Sequence, residues 1–174
     1  MTVISGTTGI DKVQAGAVLF DDLPAGSVIQ VANYTTGTMA TTTTITPYDN
    51  TVPQSSEGTD IMTLSFTANK SNSKLKVDVI FNGSVTTNGG VMTLTLFKDT
   101  DASALGVSRF SGQANQSYCF TFSYYINAVD TSAHTYKIKL GTNTAGTVTF
   151  NGTNGVAEYG GAMASSITIM EIAQ

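Results

Sequence analysis

An antiparallel all-β sandwich or jelly roll of about eight to ten strands is the fold this sequence predicts. Three observations point to it. Apolar and polar residues alternate with period two through most of the chain. Asn-Gly dipeptides, which tolerate the positive φ of tight turns, punctuate the alternation at Asn82, Asn88, Asn151 and Asn154. No window of helical length shows a 3.6-residue period with a start and a stop signal. Composition agrees: 29 Thr and 16 Ser stand beside only 11% charged residues, so β-branched hydroxyls rather than charges fill the solvent face. With 174 residues the chain is long enough for one well-buried core.

In chain order, strands are expected at 27–33, 40–46, 60–67 and 74–81, the last with Leu75, Val77, Val79 and Phe81 inward. The next places Met92, Leu94 and Leu96 inward and Thr93, Thr95 and Phe97 outward. Tyr118, Phe120, Phe122, Tyr124 and Ile126 form the clearest inward row, and further strands are expected at 134–140, 145–150 and 165–172. Pro47 to Pro53 reads as a long loop and 99–106 as a turn. Cys119 lies within an apolar stretch and is expected to be a small buried residue.

The first 26 residues differ. Val3, Ile4, Ile10, Val13, Val18, Leu19 and Phe20 are interrupted by glycines before the Asp21–Gly26 break, the pattern of an extended strap that docks on a neighbouring chain, with a strand of the domain's own sheet as the alternative. The expected division is therefore 1–26 as strap or anchor and 27–174 as the head domain. No basic, apolar leader opens the sequence and no apolar run approaches the ~20 residues of a membrane span. Synthesis in a cytoplasm without membrane insertion is expected.

Several functions are disfavoured. A net charge of −4 with eight scattered basic residues gives no footprint for nucleic acid. A single Cys leaves no disulfide framework and no multi-cysteine zinc site. His134 is the only histidine and no Gly-x-Ser-x-Gly elbow accompanies it; a surface or turn role is expected. Asp99 and Asp101 have the spacing that opens a calcium loop but lack its Gly and distal Glu, so a solvated turn is expected. Glu57, Asp60 and Glu158 are the acids a polysaccharide hydrolase would need, with no spacing that pairs them. The expectation is a protein that is not an enzyme and uses neither cofactor nor metal.

From Gly26 onward the chain resembles a domain that recurs in tailed-phage fibre proteins. The resemblance rests on Gly26-Ser27-Val28-Ile29-Gln30-Val31, Asp49-Asn50-Thr51-Val52-Pro53-Gln54, Glu57-Gly58-Thr59, Gly141-Thr142-Asn143, Thr149-Phe150-Asn151-Gly152 and the closing Met163–Ile172 segment. It implies a jelly-roll head of the tail-fibre or head-fibre type, usually a homotrimer, displayed on a virion surface. Long tail fibres are far larger than this chain, so a short fibre or decoration subunit is the expectation, with the strap binding other virion structural proteins.

For host attachment to a surface glycan or protein, the candidates are loop-borne aromatic and polar residues. They are Tyr48, Asp49 and Asn50, then Arg109 with Phe110, then Tyr159. Two other readings stand beside attachment: a cement or decoration protein without a receptor, and a free carbohydrate-binding module.

Overall fold

The computed structural model describes residues 19–174, so Val3, Ile4, Ile10, Val13 and Val18 of the expected strap lie outside it. Twelve strands form among the described residues: β1 (Val28–Thr36), β2 (Ala40–Thr42), β3 (Thr59–Thr67), β4 (Lys74–Val85), β5 (Gly90–Lys98) and β6 (Gly106–Gly112) in the first part. The second contributes β7 (Ser117–Asn127), β8 (Ala133–Thr142), β9 (Val148–Phe150), β10 (Gly152–Thr153), β11 (Val156–Ala157) and β12 (Ser165–Ile172). One sheet runs β1-β12-β4-β7, with β9 continuing along β4 beyond β12 and carrying β2; the other runs β3-β8-β5-β6.

The pairing is nested. First main strand pairs with last (β1 with β12), then β3 with β8, β4 with β7, and innermost β5 with β6, all antiparallel. A long hairpin rolled in this way is a jelly roll. The all-β expectation holds.

Alternation explains how the two sheets close. Leu75, Val77, Val79 and Phe81 from β4 meet Met92, Leu94 and Leu96 from β5, with Ile138 and Leu140 from β8 and Ile167 and Ile169 from β12. Each such side chain removed from water contributes roughly 1.5–3 kcal/mol. Sheet pairing begins at Gly26, whose N–H donates to the Ala173 carbonyl at 2.9 Å. Leu19 and Phe20, the strap residues within the described range, are exposed.

Four expectations are corrected. The outward face of β5 is not solvated: Thr93, Thr95 and Phe97 are all buried. Segment 43–58 crosses over that face, bridging through Ile45 to Thr142 and through Gln54 to Ser103. Asn82-Gly83 is not a turn but lies inside β4, where the strand exchanges β12 for β9 as its neighbour. A side chain at Gly83 would strike the Thr149 carbonyl and the Phe81 ring, so glycine there answers close packing rather than chain reversal. Cys119 is exposed because its register, opposite Asn82, puts it on the outer face while Phe120 and Phe122 turn inward. Finally, Arg109 and Phe110 sit on strand β6 rather than on a loop.

Candidate binding site

The long 43–58 crossing builds the most distinctive surface feature. Its rim is held to β8 by a backbone bond from Thr46 N to the Thr142 carbonyl (2.8 Å), and to the β5–β6 connection by Ser55 N to Ala102 O (2.8 Å) and Ala104 N to Pro53 O (2.9 Å). Within it, Asp49 Oδ1 accepts from the Thr51 N–H (2.8 Å) and hydroxyl (2.6 Å), a local turn that fixes the loop tip. The Thr51 hydroxyl and then its N–H hold the Asp49 carboxyl below its usual range.

Between this loop and the outer face of β5 and β6 lies a hollow of about 250 Å³, walled by Pro47, Tyr48, Asp49, Thr51, Val107 and Arg109, among others. Arg109, the chain's only arginine, lays its guanidinium carbon 4.2 Å from the centre of the Tyr48 ring. It forms no ion pair among the described residues. Tyr48 remains 70% exposed. A guanidinium stacked on an aromatic ring loses little mobility when it takes up a ligand, because its position is already set.

Of the residues expected to carry attachment, Tyr48, Asp49 and Arg109 converge on this hollow, and Asn50 stands exposed at the loop tip beside them. Phe110 does not join them. Strand alternation turns it to the opposite face of β6, where it packs on Tyr118 (centroids 4.7 Å apart) and Phe120 (5.6 Å). Tyr159 is also remote: it has a φ of 51°, is 82% exposed, and borders a separate shallow depression with Asn82 and Met163.

Two polar clusters were not anticipated. His134 lies in β8, and its ring is clasped at both nitrogens, Nδ1 to Asp99 Oδ2 at 2.6 Å and Nε2 to Asp130 Oδ1 at 3.0 Å. Asp99, itself at φ 50°, also accepts the Thr135 N–H at 2.7 Å through Oδ1. The expected solvated turn at Asp99 is therefore one half of a clamp joining the 99–105 and 128–132 connections. The Asp99 hydrogen bond raises the His134 pKa; partial burial and Lys98 oppose it, while Asp130 assists. Asp99 is held low by the Thr135 N–H and then His134, and Asp130 by the Ser132 N–H and then His134. Burial, aided by both aspartates, pushes the neighbouring Tyr136 hydroxyl up to about 12.

The raised imidazolium stabilises the fold below its ordinary value of 6.5, and that contribution is lost as pH rises through the higher folded value. The lowered aspartates contribute above 3.8, and their contribution is lost as pH falls through their folded values. The clamp is thus strongest between about pH 4 and 6.5. Because the three side chains are 20–49% exposed, the expected effect is modest. Melting temperature measured from pH 5 to 8 should fall more for the native chain than for His134→Phe; parallel curves would contradict the clamp.

The second cluster surrounds Glu171 on β12, which is fully buried. Its Oε2 accepts from Gln30 Nε2 (2.7 Å), Asn69 N (2.9 Å) and Asn69 Nδ2 (3.3 Å); its Oε1 accepts from Lys70 N (2.9 Å) and Ser73 Oγ (2.7 Å). The sequence offers one signal for it, a lone acid in the apolar run Ser165–Ile172.

No protein-family model matches the chain, and no curated protein matches it. Solved structures similar in outline include the infectious bursal disease virus Gt strain, at 14% identity and a TM-score of 0.42, covering 85% of this chain and 39% of that one. Eiger TNF from S. frugiperda aligns at 9% identity and a TM-score of 0.46, covering 83% of this chain and 94% of the other. The C-terminal domain of EclA, a sugar-binding protein, aligns at 14% identity and a TM-score of 0.37, covering 86% of each. The chain thus spans about two fifths of the length of the virus structure it matches.

Proposed function

We propose that this chain is a phage virion structural protein: a short fibre or decoration subunit, made in the host cytoplasm and displayed on the virion surface. In this reading residues 1–26 bind another virion protein, and the jelly-roll head, as a homotrimer, presents the Tyr48–Arg109 hollow to a host surface glycan or protein. Binding rather than catalysis is its work. The carrying observation is that hollow: the only arginine, without an ion pair among the described residues, is stacked on an exposed tyrosine beneath a loop tied down at both ends. The ordered sequence blocks from Gly26 to Ile172 support the phage assignment. Sedimentation of the purified chain tests the trimer, and a stable monomer would remove it.

Phage particles carrying Tyr48→Ala with Arg109→Ala should assemble normally but adsorb to host cells roughly tenfold less, through loss of the stacking and charge-assisted contacts. Unchanged adsorption would overturn attachment.

One observation favours the second reading, a cement protein without a receptor. The outer face of β1-β12-β4-β7 exposes Val31, Ile80 and Tyr125, while its Lys76 and Asp78 neutralise each other at 2.7 Å. Particles lacking the protein that adsorb normally yet break at lower temperature would establish that reading.

A further inference from the structure

We infer that the Tyr48–Arg109 hollow takes an uncharged hexopyranose ring rather than an acidic sugar, a step that rests on the attachment reading above. The reason lies in how its charges are arranged. Arg109 brings one positive charge and Asp49 one negative charge to the same hollow, yet the two form no ion pair with each other. Asp49 Oδ1 is occupied by Thr51, and Oδ2 has no hydrogen-bond partner among the described residues. The hollow therefore offers a row of donors on one side and an open acceptor on the other.

A sugar hydroxyl both donates and accepts, so two neighbouring hydroxyls of a neutral ring can give to Asp49 and receive from Arg109 together. A sugar carboxylate would satisfy Arg109 but bring a second negative charge toward Asp49, in a chain already at net −4. The rest of the lining suits a ring with one apolar and one polar face. Pro47, Pro53 and Val107 present carbon, Thr51 and Thr93 present hydroxyls, and the exposed Tyr48 ring offers a stacking surface. At about 250 Å³ the hollow is smaller than the ~300–1,000 Å³ of drug-sized pockets, room for a single ring and not for a folded peptide.

The test is a chemical-shift titration of the full chain with the methyl glycosides of glucose, galactose and mannose, and with methyl glucuronide. At least one neutral glycoside should bind with a Kd on the order of 1–10 mM and shift the resonances of Tyr48, Thr51 and Arg109. Affinity should fall roughly tenfold or more in Tyr48→Ala and in Arg109→Ala, whose exposed positions leave the melting temperature unchanged. Asp49→Asn keeps an acceptor for Thr51 but removes the negative charge. It should reverse the preference, admitting the glucuronide. Wild-type protein that binds the glucuronide as well as the neutral glycosides would overturn the inference. So would shifts that map elsewhere on the head, or no shift with any of the four. If no glycoside binds but the double variant still loses adsorption, the attachment reading stands with a protein receptor; if adsorption is also unchanged, both readings fall.

Discussion

Glu171→Ala is expected to lower stability by roughly 3–5 kcal/mol, a drop on the order of 10 °C in melting temperature. Burial by itself pushes the Glu171 carboxyl up. The bonds from the Asn69 N–H, the Ser73 hydroxyl, the Lys70 N–H and Gln30 together outweigh burial and hold it below its usual range. The carboxylate organises three places at once: β1 through Gln30, the 68–73 connection through two backbone N–H groups, and β12 itself. Removing it takes the carboxylate acceptor from the Asn69 and Lys70 N–H groups at once, while the Ser73 hydroxyl and Gln30 amide keep only the Lys70 and Thr67 carbonyls. Glu171→Gln keeps the shape but turns one acceptor into a donor facing other donors, so it too should destabilise, though less. The lowered pKa fixes the direction with acid: the contribution is whole above 4.5 and is lost as pH falls through the folded value. An alanine variant melting within about 2 °C of the native chain would refute this account.

Gly141→Ala should have the second large effect, and a functional one. A Cβ at this position, on β8 under the 43–58 crossing, would collide with the Thr46 hydroxyl and lie 2.9 Å from Thr46 Cβ and 3.0 Å from its backbone nitrogen. The strand is held between β3 and β5, so the crossing is the part that has to lift. Overpacking of this kind costs roughly 1–3 kcal/mol. It also moves Tyr48 away from Arg109 without altering either residue. The variant should show faster proteolysis in 47–54 and, on the attachment reading proposed above, weaker host adsorption. A structure of the variant with Thr46 N still bonded to the Thr142 carbonyl would show the reasoning to be wrong.

These two positions illustrate what the sequence made legible and what it did not. Strand positions followed from alternation because sheets of this kind bury one face, and the inward rows of β4 and β7 were readable residue by residue. The same rule misplaced Thr93, Thr95 and Phe97, since a covering loop acts on a strand from far along the chain and leaves no local trace. It also passed over β6, where Gly106, Ser108, Ser111 and Gly112 dilute the pattern to almost nothing. In the sequence Tyr48, Asp49 and Asn50 form one loop candidate and Arg109 with Phe110 another; the convergence of Arg109 on Tyr48 and Asp49 depends on the β5–β6 register and the path of the crossing. Phe110 illustrates the opposite limit, because one residue along a strand decides between rim and interior. Glu171 was hidden for a related reason. Its five partnerships come from Gln30, Asn69, Lys70 and Ser73, roughly 100 to 140 residues away in sequence.

The nested pairing has a consequence for how the molecule is made. β12 follows all the other strands of the two sheets in the chain, yet its place is in the middle of a sheet, between β1 and β4. Until it arrives, two edges that belong against it stay open, and Gln30 and Ser73 wait for a carboxylate not yet translated. Chains of such long-range pairings fold slowly and expose sticky edges while they wait. A chain lacking residues 165–174 therefore lacks a central strand rather than an edge. The jelly roll closes only once β12 has been made.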